Sequence, residues 1–496
     1  MKSNLSRKII YALLIVVILG AMTPYTGWLK REKIRQDLGE ATIGQVDTGS
    51  FMLKLALLGG ARGIAANVLW TRAEELKREH DWDRMKTTVD LITKLQPHFL
   101  SVWTFQGWNL AYNVSVEWDA PEDKYVWIKK GIQFLQEGVQ KNKRSPDLIW
   151  DTAWTYYHKL GFADESIILR RFFRDDDDLE FKKYTDYSVP QLPVVVGNDN
   201  FKLGFGWFSR AVALVDEGAE RLQGGVRETE FVDPSPQRKG RPGDLAFRTM
   251  PAHAQTRYAT ALEKASILGI PATFGEVAKN EWAKALVEWE KMGKHVFMTP
   301  NQVKNEDGVL VDQPVQIDDI FNLEKFNKLT DNQRHWTNRW ASDMNYTYWK
   351  DRSRAEMTDD GVQARQLFYE GTIAFLKGDP ELAAKKFRQG LDLWDEVLKP
   401  FHYYRDDKFN ERDTGVIVKR YVRALRQLGE PEPENFPFKS LLAAAEQDTS
   451  VDPFDVLEQI GVKGMDGGEA SRGGVGSPGT QSQGAGSSTS SPSRSN

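Results

Sequence analysis

Apolar positions recur along this chain at helical spacing, and they do so in pairs of stripes. Ala66, Leu69, Ala73 and Leu76 form one face of a first helix. A turn at His80–Asp81 follows, and Trp82, Met85, Val89 and Ile92 form the face of a second helix. Pro97 closes it, because proline cannot continue a helix. Thirty-four residues after Leu69 the first stripe returns as Trp103, Gly107 and Leu110. After an insertion of about twelve residues, "NVSVEWDAPEDK", the second stripe returns as Ile128, Gly131, Leu135 and Gly138. Small residues at fixed places let two helices approach, and bulky ones between them fill the groove.

A third unit opens near Pro146 in "DLIWDTAWTYYHKLG", with Ile149, Ala153 and Tyr156 in phase, and "DESIILRRFFRD" stands as its approximate second helix. "AQTRYATALEKA" with "EVAKNEWAKALVEW" makes a fourth, through Ala278, Trp282 and Ala285. The best single copy is "ARQLFYEGTIAFLKGDPELAAKKFRQGL". Its Leu367, Gly371 and Ala374 are followed by a Gly378–Asp379 turn and by Ala383, Phe387 and Gly390. These phased pairs resemble the tetratricopeptide repeat, although Met85 and Ile92 are larger than its usual alanines. The resemblance implies an all-α fold, a superhelix of stacked helix hairpins in which each unit buries the face of its neighbour.

Between the units the pattern loosens. "FKLGFGWFSRAVALVDEGAERLQ" reads as a helix, Gly224 to Met250 as a loop without periodicity, and "FMTPNQVKNEDGVLVDQPVQI" as a small hairpin turning at Asp307–Gly308. Trp336, Trp340, Met344 and Tyr348 recur every four residues as the face of one helix. Val416–Leu428 reads as a capping helix, and "GEPEPENFPF" breaks the regularity after it.

The ends differ from the body. Lys2, Arg7 and Lys8 precede an uncharged run from Ile9 that reaches about twenty residues at Trp28, enough to cross a bilayer as a helix. The expectation is an uncleaved N-in, C-out anchor at 9–28 behind a short cytoplasmic segment at 1–8. A cleaved signal peptide is the rival, but its small-residue cleavage site is poorly matched. "FMLKLALLGGARGIAANVLW" is broken by Lys54, Arg62 and Gly59–Gly60 and reads as two short helices packed on the body, with a second span the minority reading. The expected layout is then N-terminal repeats over 47–190, an irregular helical region over 191–360, a C-terminal repeat with capping helices over 361–462, and a disordered Gly/Ser-rich tail over 464–496. This layout is similar to membrane-anchored tetratricopeptide-like proteins of planctomycete-type bacteria. The likeness rests on the anchor, "LLGGARGIAANVLWTRAEE", "LITKLQPHF", "DLIWDTAWTYYHKLG" and "MNYTYWKDRSRAE". Some members carry an "iron-responsive element" label, and nothing in this chain supports it.

Composition removes most chemistry. The chain of 496 residues contains no cysteine, which excludes disulfides, thiolate metal sites and cysteine nucleophiles. Sixty-six basic residues against 70 acidic ones leave no footprint for nucleic acid. The seven histidines show no metal-ligand spacing, and no nucleophile elbow, phosphate loop or dinucleotide fingerprint occurs. Neither catalytic residues nor a cofactor or metal site is read. "RRFFRDDDDLEF" sets Asp175 to Asp178 beside three arginines, and the preferred reading is a solvated turn over a Ca²⁺ site.

Sixteen tryptophans remain as the distinctive feature. Trp103, Trp108, Trp150, Trp154 and Tyr157 are the candidate ligand or partner face, with packing in the core as the alternative for each. The leading function is an extracytoplasmic scaffold, held at the inner membrane by its single span, that binds protein or peptide partners in a repeat groove. The alternatives are an envelope carbohydrate-binding protein or enzyme using the tryptophan-rich face, and, least favoured, an RNA-binding regulator. Oligomeric state is not legible.

Overall fold

A computed structural model describes residues 62–184, 195–196, 198–219, 221, 242–264, 269–304 and 308–448. The expected anchor at 9–28, the segment before it, the 464–496 tail, most of the 224–250 loop and Asp307 lie outside the described residues, as does the start of "FMLKLALLGGARGIAANVLW". Among the described residues no helix is long and apolar enough to cross a membrane.

The fold is all-α, and helix α1 (Arg62–Arg78) runs back against α2 (Trp82–Leu95). His80, at φ 56°, makes the turn, and the Asp81 carboxylate caps α2 by accepting from the Arg84 amide. Helix α3 (Leu100–Trp108) continues through a wide π-helical stretch, Asn109–Val114, and packs on α4 (Pro121–Lys141), which opens on a proline. Their contact is made by missing side chains. A Cβ on Gly107 would lie 2.4 Å from Leu135, one on Gly138 2.8 Å from the Trp103 ring, and one on Gly131 2.7 Å from the Gly107 carbonyl oxygen.

Helix α5 (Pro146–Trp154) is capped by Ser145 and also continues through a π-helical stretch, Thr155–Lys159. Its partner is not the helix expected from the sequence. Helix α6 (Ser166–Asp175) buries only Leu169 and Phe173 and leans on α4. The antiparallel partner is α7 (Asn200–Asp216), which buries Phe201, Leu203, Trp207, Phe208, Ala211, Val212 and Leu214. The helix with more apolar area to bury takes the groove.

Helix α8 (Pro242–Glu263) begins inside the stretch expected to be loop, and pairs with α9 (Glu276–Gly293). Ala278, Trp282 and Ala285 are fully buried, as the fourth unit requires. Helix α8 is a shared wall: Phe247, Met250 and Ala254 join the core under the N-terminal hairpins, while Leu245 and Ala252 join the C-terminal core.

The expected hairpin is two nested ribbons, Phe297–Met298 with Pro314–Val315 and Val303–Lys304 with Leu310–Val311. The tryptophan face after it belongs to two helices, α10 (Asp331–Asp343) and α11 (Tyr346–Glu356), broken where Asn345 takes φ 49°. Helix α12 (Asp359–Leu376) and helix α13 (Pro380–Leu398) form the best-matched hairpin, turning at Gly378 with Asp379 as cap. Helix α14 (Lys408–Leu428), longer than expected, packs on α13 and stops at Gly429, φ 71°.

Candidate partner-binding face

The structure separates the five candidate residues. Trp103 is 4% exposed, fills the space over Gly138, and donates its indole N–H to the Pro97 carbonyl at 2.9 Å. Tyr157 is likewise interior, among Phe162, Phe201 and Phe208. Trp108 is 43% exposed, and Trp150 and Trp154 are half-buried.

These last three belong to one continuous ladder of near-parallel rings. Trp108 stacks on Tyr112 (5.6 Å between centroids, 16° between planes), and Tyr112 on His158 (5.9 Å, 29°). His158 stacks on Trp154 (4.8 Å, 9°), Trp154 on Trp150 (5.3 Å, 8°), and Trp150 on Phe247 (6.2 Å, 14°). The Tyr112 hydroxyl and His158 Nδ1 share a hydrogen bond of 3.2 Å, and the Trp150 N–H points to the Phe247 carbonyl at 3.4 Å. Offset stacking of this kind contributes about 0.5–1.5 kcal/mol per pair beyond burial.

The ladder follows the repeat. Trp108 comes directly after Gly107, and Trp154 directly after the equivalent Ala153. Four residues on stand Tyr112 and His158, one turn along the same helix faces. Both lie in the π-helical stretches, which therefore occur at the same place in consecutive units. Such stretches occur mostly as local insertions and often mark functional positions. The insertion between the two helices of the second unit hides this equivalence in the sequence. Phe247 had no signal at all, since it falls in the stretch read as loop.

Cations flank the rings. The Lys159 ammonium sits 5.2 Å over Tyr112, and burial pushes its pKa below the usual lysine range. A branch leaves the ladder at His158, which also stacks on Phe162 (6.1 Å, 28°), a ring 41% exposed.

The acidic run is not wholly solvated. Asp176, with 8% of its side chain exposed, holds Lys129 at 2.9 Å and accepts from the Tyr125 hydroxyl at 2.7 Å. Burial acts to raise its pKa, and those hydrogen bonds outweigh burial and hold it below the ordinary carboxylate value. Asp178 shares Lys129 at 3.1 Å. Oxygens of Asp175, Asp176 and Asp178 are engaged by Arg174, Lys129 and Tyr125, and among the described residues no group of three His, Asp or Glu is placed to hold a metal.

A second constellation lies under the C-terminal hairpin. Glu356, fully buried, receives both edges of the Arg365 guanidinium (2.6 and 2.9 Å) and the Tyr404 hydroxyl (2.8 Å), with Arg352 at 3.7 Å. The paired charges Glu356, Arg365 and Arg352 tie α11, α12 and the short helix His402–Arg405 together in the interior. The aromatic ladder, in contrast, keeps exposed ring surface at Trp108 and Phe162. The chain matches no protein-family model and no curated protein.

Proposed function

We propose that this protein is a membrane-anchored, extracytoplasmic scaffold, held by the apolar segment at 9–28, which binds protein or peptide partners in the groove of a tetratricopeptide-like superhelix. One observation carries the reading: equivalent residues of consecutive hairpins, Trp108 with Tyr112 and Trp154 with His158, form a single partly exposed aromatic track. A track that repeats with the fold suits an extended chain, whose side chains also repeat. Aromatic anchors dominate such interfaces because they bury much area with few rotatable bonds.

The test is crosslinked affinity purification of the full-length tagged protein from its own membranes, alongside Trp108→Ala and Trp154→Ala. A reproducible partner set that both substitutions reduce supports the reading. An unchanged set, or none, counts against it. The second reading, glycan binding, draws on the same exposed Trp108 ring. Retention on peptidoglycan that Trp108→Ala abolishes would favour it. A periplasm-active reporter fused after Ile460 tests the topology and, if silent, removes the extracytoplasmic assignment.

A further inference from the structure

Several half-buried arginines among the described residues come with a carboxylate. Arg170 donates to Asp199 at 2.8 Å, Arg210 to Glu217 at 2.7 Å, Arg248 to Asp216 at 2.8 Å, Arg221 to Asp147 at 3.2 Å, and Arg365 grips Glu356. Arg257, on the shared helix α8, departs from this: no Asp or Glu among the described residues pairs with it, and its Nε, like those of Arg210 and Arg248, is buried without a hydrogen-bond partner. Its guanidinium carbon lies 5.1 Å over the Phe162 ring and 5.6 Å over the Trp349 ring, and its remaining polar contact is the Tyr157 hydroxyl. The other arginine over Trp349, Arg352, belongs to Glu356. His253, one turn back on α8, adds no charge, since burial and Arg257 together lower its pKa to about 3.

A guanidinium set beside two aromatic rings with no carboxylate leaves its terminal N–H donors as the binding surface. Such donors match a planar oxyanion through two parallel hydrogen bonds. A half-buried charge without a counter-ion is also costly, so an anion arriving there is favoured by more than its hydrogen bonds alone. The position is reachable: Phe162, which walls one side, is 41% exposed and stacks on His158 of the aromatic ladder. We infer that Arg257 is the anchor for a carboxylate carried by the partner, so that the segment bound along the ladder presents an acidic group beside Phe162. This rests on the groove reading and adds the partner's chemistry to it. Phosphate fits less well, because phosphate-reading sites gather several arginines and a single unclaimed one stands here among the described residues.

The experiment uses the full chain and three probes observed by ligand-detected NMR: N-acetyl-phenylalanine as its carboxylate, the same molecule as its amide, and inorganic phosphate. The carboxylate should bind about ten-fold or more tightly than the amide, as expected for a charge-assisted pair. Arg257→Gln should erase that preference, Arg257→Lys should keep only part of it, and phosphate should not displace the probe. Equal binding of acid and amide, no binding of either, a preference that survives Arg257→Gln, or displacement by phosphate would each overturn the assignment. The acid–amide comparison on the unaltered chain decides the matter even where a variant fails to fold. Carboxylate preference without any effect of Trp108→Ala on captured partners would leave the Arg257 site standing and remove the groove reading.

Discussion

Tyr112 and His158 occupy the same place in consecutive hairpins, 46 residues apart, and meet through both a 3.2 Å hydrogen bond and a near-parallel ring contact at 5.9 Å. The hydrogen bond and the stack are separable. Tyr112→Phe keeps the ring and should cost about 1 kcal/mol, the ordinary net worth of one hydrogen bond. Tyr112→Ala also removes the stacks with Trp108 and His158 and should cost about 2–4 kcal/mol in total. Urea unfolding of both variants measures the difference. Equal losses would mean that the ladder is not a packed unit.

The hairpins close on glycine, and the consequence is graded by what each added methyl would meet. In Gly131→Ala the new Cβ would fall 2.7 Å from the Gly107 carbonyl oxygen and 2.9 Å from the Ala111 amide nitrogen, both backbone. Neither can rotate away, so α3 and α4 must separate, at a cost of roughly 1–3 kcal/mol or more. In Gly63→Ala the nearest atom is the end of the Gln96 side chain at 3.8 Å. That change should be neutral or stabilising by up to about 1 kcal/mol, because alanine is the better helix former. Thermal melts of the pair test the contrast, and a harmless Gly131→Ala would contradict the close approach.

How far the sequence reached follows from what each feature needs. The apolar stripes of Met85, Val89, Ile92, Gly107 and Gly131 repeat, and repetition is legible in one sequence; those residues are buried where the stripes place them. The choice of α7 over α6 as partner to α5 was not legible, because it depends on a competition for one groove between segments separated by about twenty-four residues. The break at Asn345 left the four-residue spacing of Trp336, Trp340, Met344 and Tyr348 intact while dividing it between two helices. At the candidate face, Trp108, Trp150 and Trp154 were visible as tryptophans on helix faces. What joins them was not, since π-helical stretches have no residue signature and Phe247 lies outside the periodic segments. Trp103 and Trp108 differ by five residues, and that phase difference alone sends one to the core and the other to solvent.

Arg365 and Glu356 give a third outcome. Glu356 is wholly buried and takes two guanidinium contacts from Arg365, so removing the cation leaves a carboxylate with one tyrosine and a more distant arginine. Arg365→Met should destabilise by about 3–5 kcal/mol, the usual result of breaking one side of a buried pair. Arg365→Lys should recover only part of it, because a point charge does not reproduce the two-pronged contact. Both are read from denaturant midpoints. A tolerated Arg365→Met would show the cluster to be dispensable.

Glu263 makes a separable contribution to the pH dependence of stability. It ends α8, accepts the Trp282 indole N–H at 3.0 Å, and faces Glu356 and Arg352 on α11 and Arg365 on α12. Burial first, and then the charge of Glu356, push its carboxyl from 4.5 up to about 7, against the pull of Arg365, the Trp282 bond and Arg352. The sign follows from which state binds the proton better. Between 4.5 and about 7 the folded chain holds a proton on Glu263 that the unfolded chain has released, so the Glu263 contribution to stability is fully present below that window and is lost through it. His253, lowered from 6.5 to about 3, opposes it, its contribution being present above 6.5 and lost as the pH falls. Asp176, Asp178 and Asp318, whose pKa values are lowered from 3.8, act in the opposite sense and below the window, where protonation removes their contribution. The stability of the unaltered chain relative to Glu263→Gln should therefore fall between 4.5 and about 7, with the acid limb common to both. Urea midpoints for the two proteins across that range measure it, and the difference between them isolates Glu263 from every other titrating group. A difference that stays constant across that range would assign the effect elsewhere.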